Sequence, residues 1–178
     1  MGTGPFTRRR LIQDIAALQD SVDALQTAYD DGEIALYQRL GLKVSRAMAA
    51  LPQSTAAALF TVATGRVLVT AIIGQVTTVI QTQTNNAKLI ANPTTGTDVD
   101  LCATLNISAD EVGCLYGITG LFSDALVGAN AGAAPFPRNG IVVPPGTIDL
   151  SCSASSTGSV KWDLYYIPLA TGATVTAA

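Results

Sequence analysis

Apolar residues recur at alternating steps of four and three at Leu11, Ile15, Leu18, Val22, Leu25 and Tyr29. That is helical spacing. Ile15, Val22 and Tyr29 take the a positions of a heptad and Leu11, Leu18 and Leu25 the d positions, which makes the seam of a short coiled coil. Gly32 falls on the next d position and ends it. Between Glu33 and Leu51, Leu36, Leu40, Val44 and Met48 repeat every fourth residue. This predicts a second helix, weakened at Gly41 and stopped by Pro52. The two stretches are either a helical hairpin packed on its own domain or an oligomerisation stem, and a seam this short serves both.

Past Thr55 the period falls to two. Val67, Val69, Ala71 and Ile73 alternate with Leu68, Thr70 and Ile72, so both faces are apolar and a central, doubly covered strand is expected. Val76, Thr78 and Ile80 predict a further strand. Val99, Leu101, Ala103 and Leu105 oppose Asp98, Asp100, Cys102 and Thr104, and Ile148, Leu150, Cys152 and Ala154 oppose Thr147, Asp149, Ser151 and Ser153. Val160, Trp162, Leu164 and Tyr166 form another such face. This alternation marks half-buried antiparallel strands.

Turn residues separate these runs at Thr64-Gly65, Asn92-Pro93, Thr95-Gly96, Asn139-Gly140, Pro144-Pro145-Gly146 and Thr157-Gly158. Ser108 and Glu111 have capping-box spacing and predict one short helical turn. Gly128 to Gly140 reads as a long exposed loop suited to contacts. The fold class expected is mainly β: an antiparallel β-sandwich, jelly-roll-like, preceded by an α-helical N-terminal arm.

Charge sharpens the division. Residues 1–55 hold six of the ten basic and six of the thirteen acidic residues, and the much longer remainder holds the other eleven charges. The expected boundary therefore lies near Pro52 to Thr55, with a helical arm over 1–55 for attachment or oligomerisation and the sandwich over 56–178. Only 13% of residues are charged while 48% are hydrophobic. Water-facing surface is scarce, so much of the β region is expected to be covered by copies of itself or by a partner.

The net charge of −3 leaves no electrostatic footprint for nucleic acid. Histidine is absent from the chain, which removes the commonest general base and metal ligand. Cys102, Cys114 and Cys152 are odd in number and lack C-x-x-C spacing, and read as free buried thiols. Leu11 to Leu25 is interrupted by Gln13, Asp14, Gln19, Asp20 and Asp23, so no signal peptide is expected there. Ala56 to Ile80 is long and apolar but carries Arg66 and Gln75, and reads as two strands around Thr64-Gly65 instead of a membrane span.

Candidate chemistry is sparse. Asp98 and Asp100 could hold calcium or act as acid and base, but no third ligand is near in sequence, and a solvated strand edge is the expectation. Asp110 and Glu111 suit a helix N-terminus. Gly113, Gly117 and Gly120 do not match a phosphate loop and fit bends or bulges. Cys114 has no histidine to activate it. Arg8, Arg9 and Arg10 could touch an acidic surface, and Asn106-Ile107-Ser108 is an accidental sequon. Trp162 and Tyr166 are expected in the core and Tyr165 outside it. No catalytic, cofactor-binding or metal-binding residue follows, and no enzymatic activity is expected. The candidate contacts for an oligomer or capsid are the six seam residues and Arg8 to Arg10.

Three segments carry a likeness: Lys88 to Asn106 (KLIANPTTGTDVDLCATLN), Pro144 to Cys152 (PPGTIDLSC) and Gly158 to Pro168 (GSVKWDLYYIP). They resemble small β-sandwich proteins encoded among the virion structural genes of tailed bacteriophages. The likeness runs from about Phe60 to the C-terminus and leaves the arm uncovered. It implies a capsid decoration (cement) protein or head-fibre base, typically a homotrimer, that is assembled in the bacterial host cytoplasm and located in the virion. Its partners would be itself and the major capsid protein or other virion proteins, not a membrane or nucleic acid. A tail, baseplate or carbohydrate-binding receptor module, using Tyr165, Tyr116 or the 128–140 loop, is the alternative. Ile and Val at a with Leu at d favour two strands in a coil, so a trimer would be set by the β domain.

Overall fold

The computed structural model describes residues 5–30, 40–128, 130–134, 137 and 139–178; for residues 5–10 and 28–30 it describes the backbone alone. The chain divides into two units, residues 1–39 and 40–178. The first contains α1, Pro5–Asp30, a helix of 26 residues. Its first turn has no acidic residue and its last turn no basic one. Ser21 and Thr27 donate their hydroxyls to the carbonyls of Ala17 and Asp23, both at 2.8 Å, the i−4 back-bonding that slightly weakens a helix.

The second unit is a two-sheet antiparallel sandwich. Its strands are β1 (Leu42–Ala50), β2 (Ala56–Ala63), β3 (Val67–Thr78), β4 (Asn86–Pro93), β5 (Val99–Asp100), β6 (Leu105–Asn106), β7 (Leu115–Gly117), β8 (Ile141–Val143), β9 (Gly146–Cys152), β10 (Ser159–Pro168) and β11 (Thr174–Ala177). One sheet runs β1-β10-β3-β7, with β8 also on β3; the other runs β11-β2-β9-β4-β5, with β6 also on β4. The mainly-β sandwich expected from the alternating pattern is therefore present. β2 and β3 form the hairpin around Thr64-Gly65, where Thr64 takes φ 68°. β9 and β10 fall where their alternation placed them.

Five expectations are corrected. The predicted second helix, Glu33 to Leu51, is not one: Leu42–Ala50 is β1, paired with β10 from Leu42↔Tyr166 to Ala50↔Ser159. Residues 31–39 lie outside the described residues, so Leu36 is not placed. The reason is arithmetic. Every fourth residue also lies on one side of a strand, so Leu40, Val44 and Met48 satisfy both periods. The boundary consequently falls between Arg39 and Leu40, not near Pro52 to Thr55. Val76 and Thr78 continue β3 without a break. The expected strand over 98–105 is interrupted: Leu101 and Cys102 are consecutive and both buried, and only residues 99–100 and 105–106 pair with β4. Ser108 to Glu111 forms turns, not a helical turn.

β1 is an edge strand with a particular construction. Arg46 stands opposite Trp162 and so points to the core side, where its Nε has no hydrogen-bond partner. A bulge follows between Arg46 and Ala49. On the outer face Lys43 pairs with Asp163 at 3.1 Å, and Ser45 donates to the same carboxylate at 2.6 Å.

The core fills the space between the sheets with Phe60, Ile72, Leu89, Ile148, Leu164 and their neighbours. Its centre is aromatic. Trp162 and Tyr116 stack with ring centroids 6.3 Å apart and planes 28° apart. The indole lies against Gly74 of β3, where a Cβ would come within 2.8 Å of the ring. A glycine in a strand interior is usually a weakness, but here it creates the room the tryptophan occupies. One end of the core is polar. Asn85 is fully buried, donates Nδ2 to the Ser156 hydroxyl at 3.1 Å and accepts from the Ala154 amide at 3.2 Å.

Candidate functional site

The helix presents its seam to solvent. Leu11, Ile15, Leu18, Val22 and Leu25 are 52–66% exposed, and Ile12 beside them is 65% exposed. The 4-3 spacing puts these side chains on one stripe because each turn takes 3.6 residues. Large exposed apolar patches mark sites of contact with another protein, a membrane or a ligand. The side chains of Tyr29, Arg8, Arg9 and Arg10, the other proposed contacts, lie outside the described residues; their backbone belongs to α1.

The sandwich brings few of its candidate polar residues together. Asp98 and Asp100 are exposed, and Asp100 is bound by Lys88 at 2.7 Å on the outer face of its sheet. This is the solvated strand edge that was expected. Among the described residues no group of three potential ligands could hold a metal ion. Gly113 and Gly120 take positive φ, 95° and 87°, at bends, while Gly117 lies in β7. The Asn106 side chain accepts from the amides of Asn85 and Ser108, so it is occupied as a local brace.

The aromatic residues separate as follows. Trp162 and Tyr166 are buried and Tyr165 is half-buried on the outside, where the Lys43 ammonium sits 5.8 Å from its ring centroid. Tyr116, a candidate for a carbohydrate platform, is buried beside Trp162 and cannot serve as one. The 128–140 loop is described in part. Its start is tied to β7, with Val127 and Gly117 exchanging backbone hydrogen bonds at 2.9 and 3.0 Å.

Asp110 holds the loop from beneath. It is buried, accepts the Tyr116 hydroxyl at 2.6 Å and accepts the Asn130 amide at 2.9 Å. The helix-terminus role expected for it is thus replaced by a structural one. Burial, and then the bond to Asp110, hold the Tyr116 hydroxyl well above its ordinary range.

The three thiols are free and buried, and burial pushes that of Cys152 up to about 11 and those of Cys102 and Cys114 upward as well. An unfolded thiol ionises near about pH 8.5. Below that value the contribution of these groups to stability is complete. Above it the unfolded chain binds fewer protons than the folded one, so stability falls as the pH rises through about 11 for Cys152. The thermal midpoint should therefore drop between about pH 8 and about pH 10.5, and Cys152→Ala should flatten part of that slope. A midpoint constant over this range would contradict the buried-thiol geometry.

One surface feature had no signal in the sequence. A groove of about 330 Å³ opens at one end of the sandwich, between the turn after β4 and β8. Its lining includes Ala91, Pro93, Val99, Leu101, Phe122 and Val142, and none of its lining residues is charged. Three separate chain segments, 91–101, Phe122 and 141–144, build it, so no local spacing could reveal it. It offers apolar contact and no proton-transfer group.

No family model matches the chain, no curated protein is similar to it, and no solved structure matches its fold. Among the described residues no helix is long and apolar enough to cross a membrane.

Proposed function

We propose that the chain is a non-enzymatic structural component of a tailed-bacteriophage virion, a capsid decoration or cement protein that binds and stabilises the head shell as an oligomer, with a trimer favoured for the sandwich. The observation that carries this reading is the exposed apolar seam of α1, a surface built for contact with another chain. Four carboxylates of the sandwich are engaged structurally, which supports a non-enzymatic role: Asp110 with Tyr116, Asp124 with Thr119, Asp100 with Lys88 and Asp163 with Lys43. The three segments that resemble phage sandwich proteins lie on β4 to β6, β9 and β10; β4, β9 and β10 are interior strands, and β5 and β6 edge the second sheet. A protein of this kind acts by mass action, since binding only the assembled shell stabilises that state.

The test is quantitative mass spectrometry of purified particles from a phage that carries the gene. Copies in the hundreds per particle are expected. A handful would move the protein to a vertex, tail or baseplate, and absence from particles would overturn the reading. Deletion of residues 1–39 should abolish attachment while the sandwich stays folded. A deletion extended through residue 55 would remove β1 and confound the result.

A further inference from the structure

The seam of α1 is apolar, exposed and unusually charged at its ends. Arg8, Arg9 and Arg10 sit near the helix N-terminus, and Asp20, Asp23 and Asp30 lie toward its C-terminus. A helix already carries partial positive charge at its N-terminus and partial negative charge at its C-terminus, so these residues add to the macrodipole where most helices oppose it. Two such helices side by side in parallel bring like ends together. The a position before Ile15 is Arg8, which would then face its own copy across the seam. Two helices running in opposite directions place each basic end beside an acidic one.

We infer that the α1 seam is closed by α1 of a second copy in antiparallel orientation, with Leu18 level with Val22 of the other helix. In that register Ile15 meets Leu25 and Leu11 meets Tyr29, so all six seam residues enter three kinds of a-to-d layer, each repeated by the two-fold axis. The flanks fit as well. Ile12 falls beside Gln26, while Gln19 and Ser21 each meet their own copies, so no like charges oppose one another. Ile12, exposed in the single chain, is covered at the same time. This inference rests on the oligomer part of the proposed function but not on the particle. If the sandwich sets a trimer, arm pairs link one trimer to the next.

Cysteine cross-linking of the full chain tests it. Antiparallel pairing sets Ile15 and its copy ten residues out of level, about 15 Å along the axis. Ile15→Cys and Leu25→Cys are made separately, oxidised alone and as a mixture, and read on a non-reducing gel. The native thiols are buried and common to every sample. The mixture should give about ten times the linked dimer of either variant alone, since residues with Cα atoms more than about 7 Å apart cannot form the bond. Efficient linking of each variant to itself means parallel helices and overturns the inference. So does an absence of linking in all samples together with a monomer in light scattering, which would mean that another surface covers the seam. The particle question stays separate. A chain absent from particles that still links only in the mixture overturns the virion reading alone, and a particle-bound chain that links like with like overturns this one alone.

Discussion

Replacing Trp162 with alanine should cost the sandwich about 3–5 kcal/mol, a large share of what a domain of this size has. The indole is buried, fills the room above Gly74 and stacks on Tyr116, so its removal opens a cavity at the centre of both sheets. β3 and β10, which carry Gly74 and Trp162, pair along almost their whole length and cannot close around the gap. Gly74→Ala attacks the same contact from the other side. Its new methyl would meet the ring at 2.8 Å, and overpacking of this kind costs about 1–3 kcal/mol. The two sites share one volume, so Gly74→Ala combined with Trp162→Leu should cost less than the sum of the single changes. Trp162 is the chain's single tryptophan, so unfolding must be followed by far-ultraviolet circular dichroism in urea instead of by its fluorescence. A loss below about 1 kcal/mol for Trp162→Ala would refute this account of the core.

Asp110→Ala is the second large effect expected, about 2–3 kcal/mol. It strands the buried Tyr116 hydroxyl and removes the acceptor that fixes the Asn130 amide at the start of the loop. Asp110→Asn keeps an acceptor in the same place and should lose less. Tyr116→Phe leaves a buried carboxylate short of one donor, and in combination with Asp110→Ala its cost should largely vanish because the pair acts as a unit. Denaturation midpoints measure both. Amide hydrogen exchange should also show the 127–131 backbone opening faster in Asp110→Ala; unchanged protection there would refute the anchoring role.

How far the fold could be read from the residues depended on how many physical rules agreed at each place. At Thr64-Gly65 a turn signal, β-branched flanks and alternation coincide, and β2 and β3 form there. β10 was equally legible because Val160, Trp162, Leu164 and Tyr166 have no helical alternative at a spacing of two. β1 was misread because a four-residue repeat belongs to both periods, and nothing local says that its partner, β10, lies more than a hundred residues away. The break at Leu101 and Cys102 was hidden for a related reason. Cys102 buries its sulfur against the Leu89 amide at 3.3 Å, a contact made by β4 and invisible to alternation. Of the candidate site, the stripe from Leu11 to Leu25 was wholly legible, since a single helix carries its own geometry. The role of Asp110 was not, because its partners Tyr116 and Asn130 are brought to it by the fold.

The edge strand β1 bears on how the chain behaves at high concentration. A free strand edge is a template on which further chains can stack into insoluble fibres. Here the arginine turned inward at position 46, the bulge after it and the lysine at position 43 spoil that template. Newly made copies are therefore kept from stacking along this edge. On this side of the sheet, association is left to side-chain surfaces, which can be reversed until the right neighbour is found.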